Sequence, residues 1–241
     1  MQAIILAGGT GVRLRPYTTI LPKPLMPIGE KAILEIVLMQ LKAAGFKELV
    51  FTVGYLAELI EAYFGDGSKW KVKIKYSREK KPLGTVGPLT LIKGLAPNFL
   101  VMNGDVLCDL DYADLMCKHS RERNEVTICS YARKVKIDLG VLDFKQGQLK
   151  DYIEKPEYSF QVSMGIYGIN RSMIKQMPKG KRKDLPNLVR EQIKEGGKIG
   201  VYNFSGIWYD IGRIEDYQMA QNEFHDHYAR FMGKKKKGEI T

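Results

Sequence analysis

The chain has no run of 18 or more apolar residues, so no segment is expected to cross a bilayer as a helix. It opens directly in a short apolar stretch, without the basic, apolar and small-residue segments of a signal peptide. Cysteine is scarce: Cys108, Cys117 and Cys129 are odd in number and not at metal spacing. A disulfide framework is therefore not expected, and reduced thiols in a cytoplasmic setting are. Two familiar phosphate loops are also missing. No G-x-x-x-x-G-K-[ST] string occurs, and a G-x-G-x-x-G fingerprint would need glycine where Leu14 stands. There is no RRM or KH signature, no internal repeat, no hexapeptide array and no Pro- or Ser-rich linker.

What is present is enough apolar residue, 44% of 241, to bury a substantial core. One unit over residues 1–232 is expected, with a nucleotide half at about 1–110 and a second half at about 111–232. Residues 233–241 read as a basic tail containing Lys234 to Lys237. The net charge of +11 suits nucleic acid, a membrane surface or small anions, and does not choose among them.

The most informative stretch is Gln2 to Pro24. Ala3 to Leu6 reads as a buried strand that breaks into Gly8-Gly9-Thr10-Gly11, followed by Arg13, Arg15 and Lys23. Glycines after a strand let backbone N–H groups approach an anion, and cations along the same loop neutralise it.

Helical spacing follows over Ile33 to Ala44, with Gly45 placed to end it, then a strand over Leu49 to Val53 and a helix marked by Leu56, Ile60 and Tyr63. Trp70 to Tyr76 alternates as a strand, Thr85 to Lys93 as a short helix, and Phe99 to Met102 as a buried strand. This alternation predicts an α/β fold with a mostly parallel sheet and ligand at its carboxyl edge. Beyond Asp105 the rhythm becomes mixed. A helix over Tyr112 to His119 precedes a strand at Val126 to Tyr131 and a hairpin over Gly140 to Ile153. Then come a strand at Ser163 to Ile169 and helices over Asp184 to Glu195 and Ile214 to Phe231.

Asn103-Gly104-Asp105 directly follows the fourth apolar strand, where a carboxylate suits Mg²⁺ bridging phosphate oxygens. Asp210, in Trp208-Tyr209-Asp210-Ile211-Gly212, is a candidate second ligand; taken alone it reads more simply as a helix-capping Asp. Glu154-Lys155-Pro156 is either a surface ion pair or a sugar-phosphate contact. Gly140 could let backbone touch a sugar ring. His225-Asp226-His227 reads as a solvated helix face rather than a metal site.

Gly-Gly-x-Gly-x-Arg-Leu-x-Pro with Pro22-Lys23-Pro24 resembles the signature of the sugar-1-phosphate nucleotidyltransferases. Pro82 to Thr85, Asn103 to Asp105, Glu154 to Pro156, Gly165 to Tyr167 and the Trp208-x-Asp-Ile-Gly segment extend the resemblance over roughly Gln2 to Phe224. It implies a Rossmann-like nucleotidyltransferase fold with an appended mixed, antiparallel sugar-binding sheet. The implied reaction is NTP plus sugar 1-phosphate giving NDP-sugar plus pyrophosphate, with Mg²⁺. The resemblance assigns Arg13 to the leaving pyrophosphate, Lys23 to the phosphates, Asp105 and Asp210 to Mg²⁺, and Lys155 to the sugar phosphate. Glu154, Gly140 and Gly165 fall on the sugar side. Leu6, Ala7, Gly8, Glu79, Gly84 and Thr85 fall on the base side, with Gly9, Thr10, Gly11, Asn103 and Gly104 around the nucleotide. Two departures stand out: Val12 replaces the family's usual Thr or Ser, and Ser163-Met164 replaces its commoner Asn-Ala.

Pro82 to Leu89 is most similar to the guanylyltransferase branch that makes GDP-mannose or GDP-heptose. A Glu79 carboxylate could accept from guanine N1–H and N2–H₂ together. A backbone N–H reads a pyrimidine equally well, so a UTP- or dTTP-using enzyme is the alternative. Further readings are a non-catalytic nucleotide-sugar-binding homologue and a basic nucleic-acid binder. The expected partners are a nucleoside triphosphate and a sugar 1-phosphate, without nucleic acid or membrane, and a homo-oligomer is open.

Overall fold

The computed structural model describes residues 1–79 and 81–232; the basic run Lys234 to Lys237 lies outside the described residues. The strands are β1 (Gln2–Ala7), β2 (Pro27–Ile28), β3 (Lys31–Ala32), β4 (Glu48–Val53), β5 (Lys73–Arg78), β6 (Asn98–Asn103) and β7 (Val106–Cys108), then β8 (Val126–Lys136), β9 (Val141–Lys145), β10 (Gln148–Ile153), β11 (Glu157–Asn170), β12 (Ile199–Phe204) and β13 (Trp208–Asp210). The helices are α1 (Ile33–Ala43), α2 (Ala57–Phe64), α3 (Tyr112–Glu122), α4 (Arg171–Lys175), α5 (Leu185–Lys194) and α6 (Ile214–Phe231).

Seven strands form one sheet in the order β12-β8-β11-β6-β1-β4-β5. β1 lies between β4 and β6, parallel to both, and β12 runs parallel to β8. Only β11 is antiparallel to its neighbours β6 and β8. Ile4 and Ile5 are fully buried on the two faces of this central strand, as an apolar run covered on both sides requires. Leu34, Val37, Leu38 and Leu41 of α1 pack on one face. On the other, Val86 and Leu89 pack with Leu185 and Leu188 of α5. A third cluster joins Leu14, Met26 and Ile33 to Tyr217, Phe224 and Phe231 of α6, so the last helix is tied to the opening loop.

The sequence anticipates the α/β architecture, while several boundaries differ for local reasons. Lys71 adopts φ 58°, so the strand expected from Trp70 starts only at Lys73. Trp70 instead packs on α2, its ring centroid 5.2 Å from that of Phe64 and 6.2 Å from that of Tyr63. The helix expected over Thr85 to Lys93 is a single 3₁₀ segment, Gly87–Leu91. Val86 and Gly87 donate their N–H groups to the Lys183 carbonyl instead of entering a longer helix. β8 and β11 run past the core as a ribbon paired from Ser130–Ser163 to Lys136–Glu157. Together with the β9–β10 hairpin this is the expected antiparallel addition, but β8, β11 and β12 are continuous with the central sheet.

Candidate active site

β1 ends at Ala7 beside Val53 of β4, and its other neighbour, β6, ends at Asn103 opposite Leu6. The chain leaves β1 through Gly8, where an added Cβ would stand 3.0 Å from Glu79 Oε1 and 3.5 Å from the Gly54 nitrogen. Only a glycine lets the loop and that carboxylate approach so closely. Gly11 turns with φ 61° and is fixed by the Thr18 hydroxyl, which donates to its carbonyl at 2.8 Å. The N–H groups of Gly9, Thr10 and Gly11 donate to no acceptor among the described residues. These glycines and Thr10 line a cleft of about 290 Å³ whose opposite wall is Lys23, Pro24, Gly104 and Asp105. Bare amides and a cation around one concavity are a site for phosphate oxygens.

Two distant parts of the chain meet at this cleft. Asp105 follows β6, and β7 pairs antiparallel with β13 so that Val106 faces Asp210. The Ile211 N–H donates to the Asp105 carbonyl at 3.0 Å, placing the two aspartates side by side across the strand pair. Lys23, only 8% exposed, donates to Asp105 Oδ2. Arg13 lies against Gly212, where an added Cβ would stand 3.1 Å from its Nη2. Arg13, Lys23, Asp105 and Asp210 thus form one constellation at the carboxyl edge of the sheet.

Burial and like charge set the electrostatics of the two carboxylates. The pKa of Asp210 is raised above the ordinary carboxyl value, first by loss of water around it, then by the neighbouring Asp105 charge; Lys23 and Arg13 act in the opposite sense. Asp210 retains solvent exposure, so the desolvation is partial. Asp105 Oδ1 is buried and meets no hydrogen-bond partner among the described residues. An orphaned carboxylate oxygen beside a second carboxylate is an all-oxygen donor set of the kind Mg²⁺ takes. No group of three or more His, Cys, Asp or Glu side chains stands together among the described residues. A metal held here would complete its shell from substrate and water.

Of the residues expected on the base side, Glu79 is half-buried between Gly8 and Leu83. The Leu83 N–H donates to its Oε2 at 3.0 Å, and burial raises its pKa against that bond. Gly84, with φ 77°, packs against Lys183 and Asp184. The Thr85 hydroxyl accepts from the Leu185 N–H at 2.7 Å, tying this segment to the start of α5. Asn103 lies against Gly165, whose φ of 76° and bare Cα leave room for the amide.

The sugar-side candidates are arranged differently. Glu154 and Lys155 lie at the exposed turn between β10 and β11, and Gly140 precedes β9; none lines the cleft. An added Cβ on Gly140 would stand 2.2 Å from the Tyr152 hydroxyl, so that glycine makes room for the phenol ring. Sequence reasoning did not find Gly54, and it placed Gly212 in the Trp208-x-Asp-Ile-Gly segment without giving it a role. Each permits a close backbone or guanidinium approach from a distant element, which local spacing does not encode.

Residues 2–227 match the Nucleotidyl transferase family. The chain belongs to that family. It is 32% identical over 229 residues to the mannose-1-phosphate guanylyltransferase catalytic subunit beta of Danio rerio, covering 90% of this chain and 62% of that protein. It is 33% identical over 241 residues to the UTP–glucose-1-phosphate uridylyltransferase of Synechocystis, covering 91% and 62%. The chain therefore spans about three fifths of the length of these curated relatives. HddC from Yersinia pseudotuberculosis superposes with a TM-score of 0.70 at 26% identity, over 92% of this chain and 99% of that one. Its complex with GMP-PN superposes at 0.69. The mostly parallel central sheet belongs to a fold that the chain shares with these solved structures. Among the described residues no helix is long and apolar enough to cross a membrane.

Proposed function

We propose that the chain is a sugar-1-phosphate nucleotidyltransferase that joins a nucleoside triphosphate to a sugar 1-phosphate and releases pyrophosphate. The observation that carries this reading is the convergence of Arg13, Lys23, Asp105 and Asp210 on a cleft floored by unpaired amides. A sugar phosphate is already an anionic nucleophile, so the site needs no general base. It needs in-line positioning and neutralisation of like charges.

In this reading the amides of Gly9 to Gly11 hold the triphosphate, and Arg13 draws charge from the departing pyrophosphate. Lys23 neutralises the phosphates near the attacked phosphorus and keeps Asp105 oriented. Asp105 and Asp210 would hold Mg²⁺, which when bound supplies charge neutralisation between the phosphate oxygens. Lys155 and Glu154, carried on the exposed arm, would meet the sugar phosphate and the sugar hydroxyls.

Guanine is the favoured base. Glu79 stands against the Gly-rich loop with a carboxylate able to accept from both donors of the guanine edge. The name of the Danio rerio relative and the GMP-PN bound to HddC point the same way. The name of the Synechocystis relative supports the uridylyl alternative. The test is pyrophosphate release with GTP, UTP, dTTP and ATP, each against mannose, heptose and glucose 1-phosphates and with Mg²⁺. Turnover is expected with GTP first. No turnover in any pairing would end the enzymatic reading.

A further inference from the structure

A second concavity lies at the other end of the central sheet. Arg171 follows β11 directly, and its N–H donates to the Pro97 carbonyl at 2.8 Å, just before β6 begins. β6 then runs the length of the sheet, about 20 Å for a strand of this length, before reaching the phosphate cleft. The concavity measures about 330 Å³, within the range of small-molecule sites. Its apolar floor includes Leu89, Leu95 and Ile174, and Arg171, Lys175 and Lys179 stand at its rim.

Charge is concentrated here to an unusual degree. Residues 171–183 carry six cations, Arg171, Lys175, Lys179, Lys181, Arg182 and Lys183, and no acidic residue, in a chain whose whole net charge is +11. Lys183 is paired with Glu191. The other five form no ion pair among the described residues. Arg171 is held in place by donating from Nη1 to the Leu95 carbonyl at 2.9 Å, which leaves the rest of its guanidinium available. The loop is fixed at both ends. The Gly180 N–H donates to Thr90 Oγ1 at 2.9 Å, and the Lys183 N–H to the Leu83 carbonyl at 2.9 Å.

We infer that this concavity binds a small organic anion that carries a phosphate group on an apolar body. The rim cations meet the phosphate, Arg171 with its planar fork, and the aliphatic floor takes the apolar part. Single-stranded nucleic acid fits less well, because no aromatic side chain lines the cavity to stack a base. A membrane surface fits less well too, because the apolar residues form the floor of a hollow rather than a projecting edge.

The test is isothermal titration of the full chain with 1-naphthyl phosphate. Inorganic phosphate, 1-naphthol, phosphatidylglycerol vesicles and poly(U) are titrated alongside. Three proteins are compared: the unaltered chain, Lys175→Glu/Lys179→Glu, and Lys23→Ala as a probe of the cleft; circular dichroism checks that each is folded. Naphthyl phosphate is expected to bind saturably to the unaltered chain and to Lys23→Ala. Binding should weaken by about tenfold or more when the two rim charges are reversed. Inorganic phosphate and naphthol should each bind more weakly than the combined molecule. Equal binding by inorganic phosphate overturns the assignment, as does a loss seen only in Lys23→Ala. Absence of saturable naphthyl phosphate binding does so as well, and so does rim-dependent capture of vesicles or poly(U) without it.

Discussion

At the scale of single residues, the cleft depends on charged side chains held against one another. Lys23 is buried, and among the described residues its ammonium pairs with Asp105 alone. Removing its ammonium would take away the proposed phosphate contact and leave the partly buried Asp105 carboxylate without its ion pair. Lys23→Ala should lower kcat/KM by about 10²-fold or more, with the protein still folded by circular dichroism; a near-normal rate would exclude the role given to Lys23. Gly212→Ala makes a finer test, because the new methyl would stand 3.1 Å from Arg13 Nη2 and press on that guanidinium, whose atoms are its three nearest neighbours. It should reduce turnover while leaving Tm nearly unchanged. The loop glycines were legible because strand, turn and cation follow one another along the chain. Gly212 was legible only as a motif position, because its reason is the Arg13 side chain nearly the whole chain away.

His119 shows how a buried group outside the site sets the response to acid. It is fully buried, its Nδ1 is 2.9 Å from the Thr127 hydroxyl, and its Nε2 meets no partner among the described residues. Burial pushes its pKa below the ordinary 6.5. The unfolded chain therefore takes up a proton more readily than the folded one, and stability present above pH 6.5 is lost as the pH falls below it. His119→Phe should flatten the fall in Tm as the pH drops below about 6.5. An unchanged slope would assign that fall to other groups.

At the scale of elements, α3 and β11 meet through that same histidine. An added Cβ on Gly168 would stand 2.8 Å from the imidazole ring. Gly168→Ala should cost about 1–3 kcal/mol through overpacking, read as a lowered urea midpoint with an unchanged m-value. No change in the midpoint would mean that α3 moves freely over the sheet. Apolar periodicity located most elements, since α1, β4, β6 and α6 pack on the core along their length. It missed the start of β5, where Lys71 turns out of the extended region. It also shortened β8 and β11, whose outer halves are held by each other rather than by the core. In that ribbon Tyr158 and Phe160 are exposed, so burial pattern and strand length part company.

At the scale of the whole molecule, the organising event is the pairing of β7 with β13. It closes α6 over the opening loop and carries Asp210 to Asp105. No spacing in the sequence could reveal this, because Asp210 by itself looks like a helix cap. Only resemblance to relatives singled it out, and the strand register explains it physically. The arm bearing Gly140, Glu154 and Lys155 is legible as a hairpin, but its separation from the cleft wall is a tertiary property that periodicity does not encode.

The central claim is that Asp105 and Asp210 act on one cation rather than separately. It is tested most directly by a double-mutant cycle on kcat/KM with Mg²⁺, using Asp105→Asn, Asp210→Asn and the pair. If they share a ligand, each single change should lower kcat/KM by about 10²-fold or more, and the double variant should be little worse than the poorer single one. Losses that multiply in the double variant would contradict a shared site.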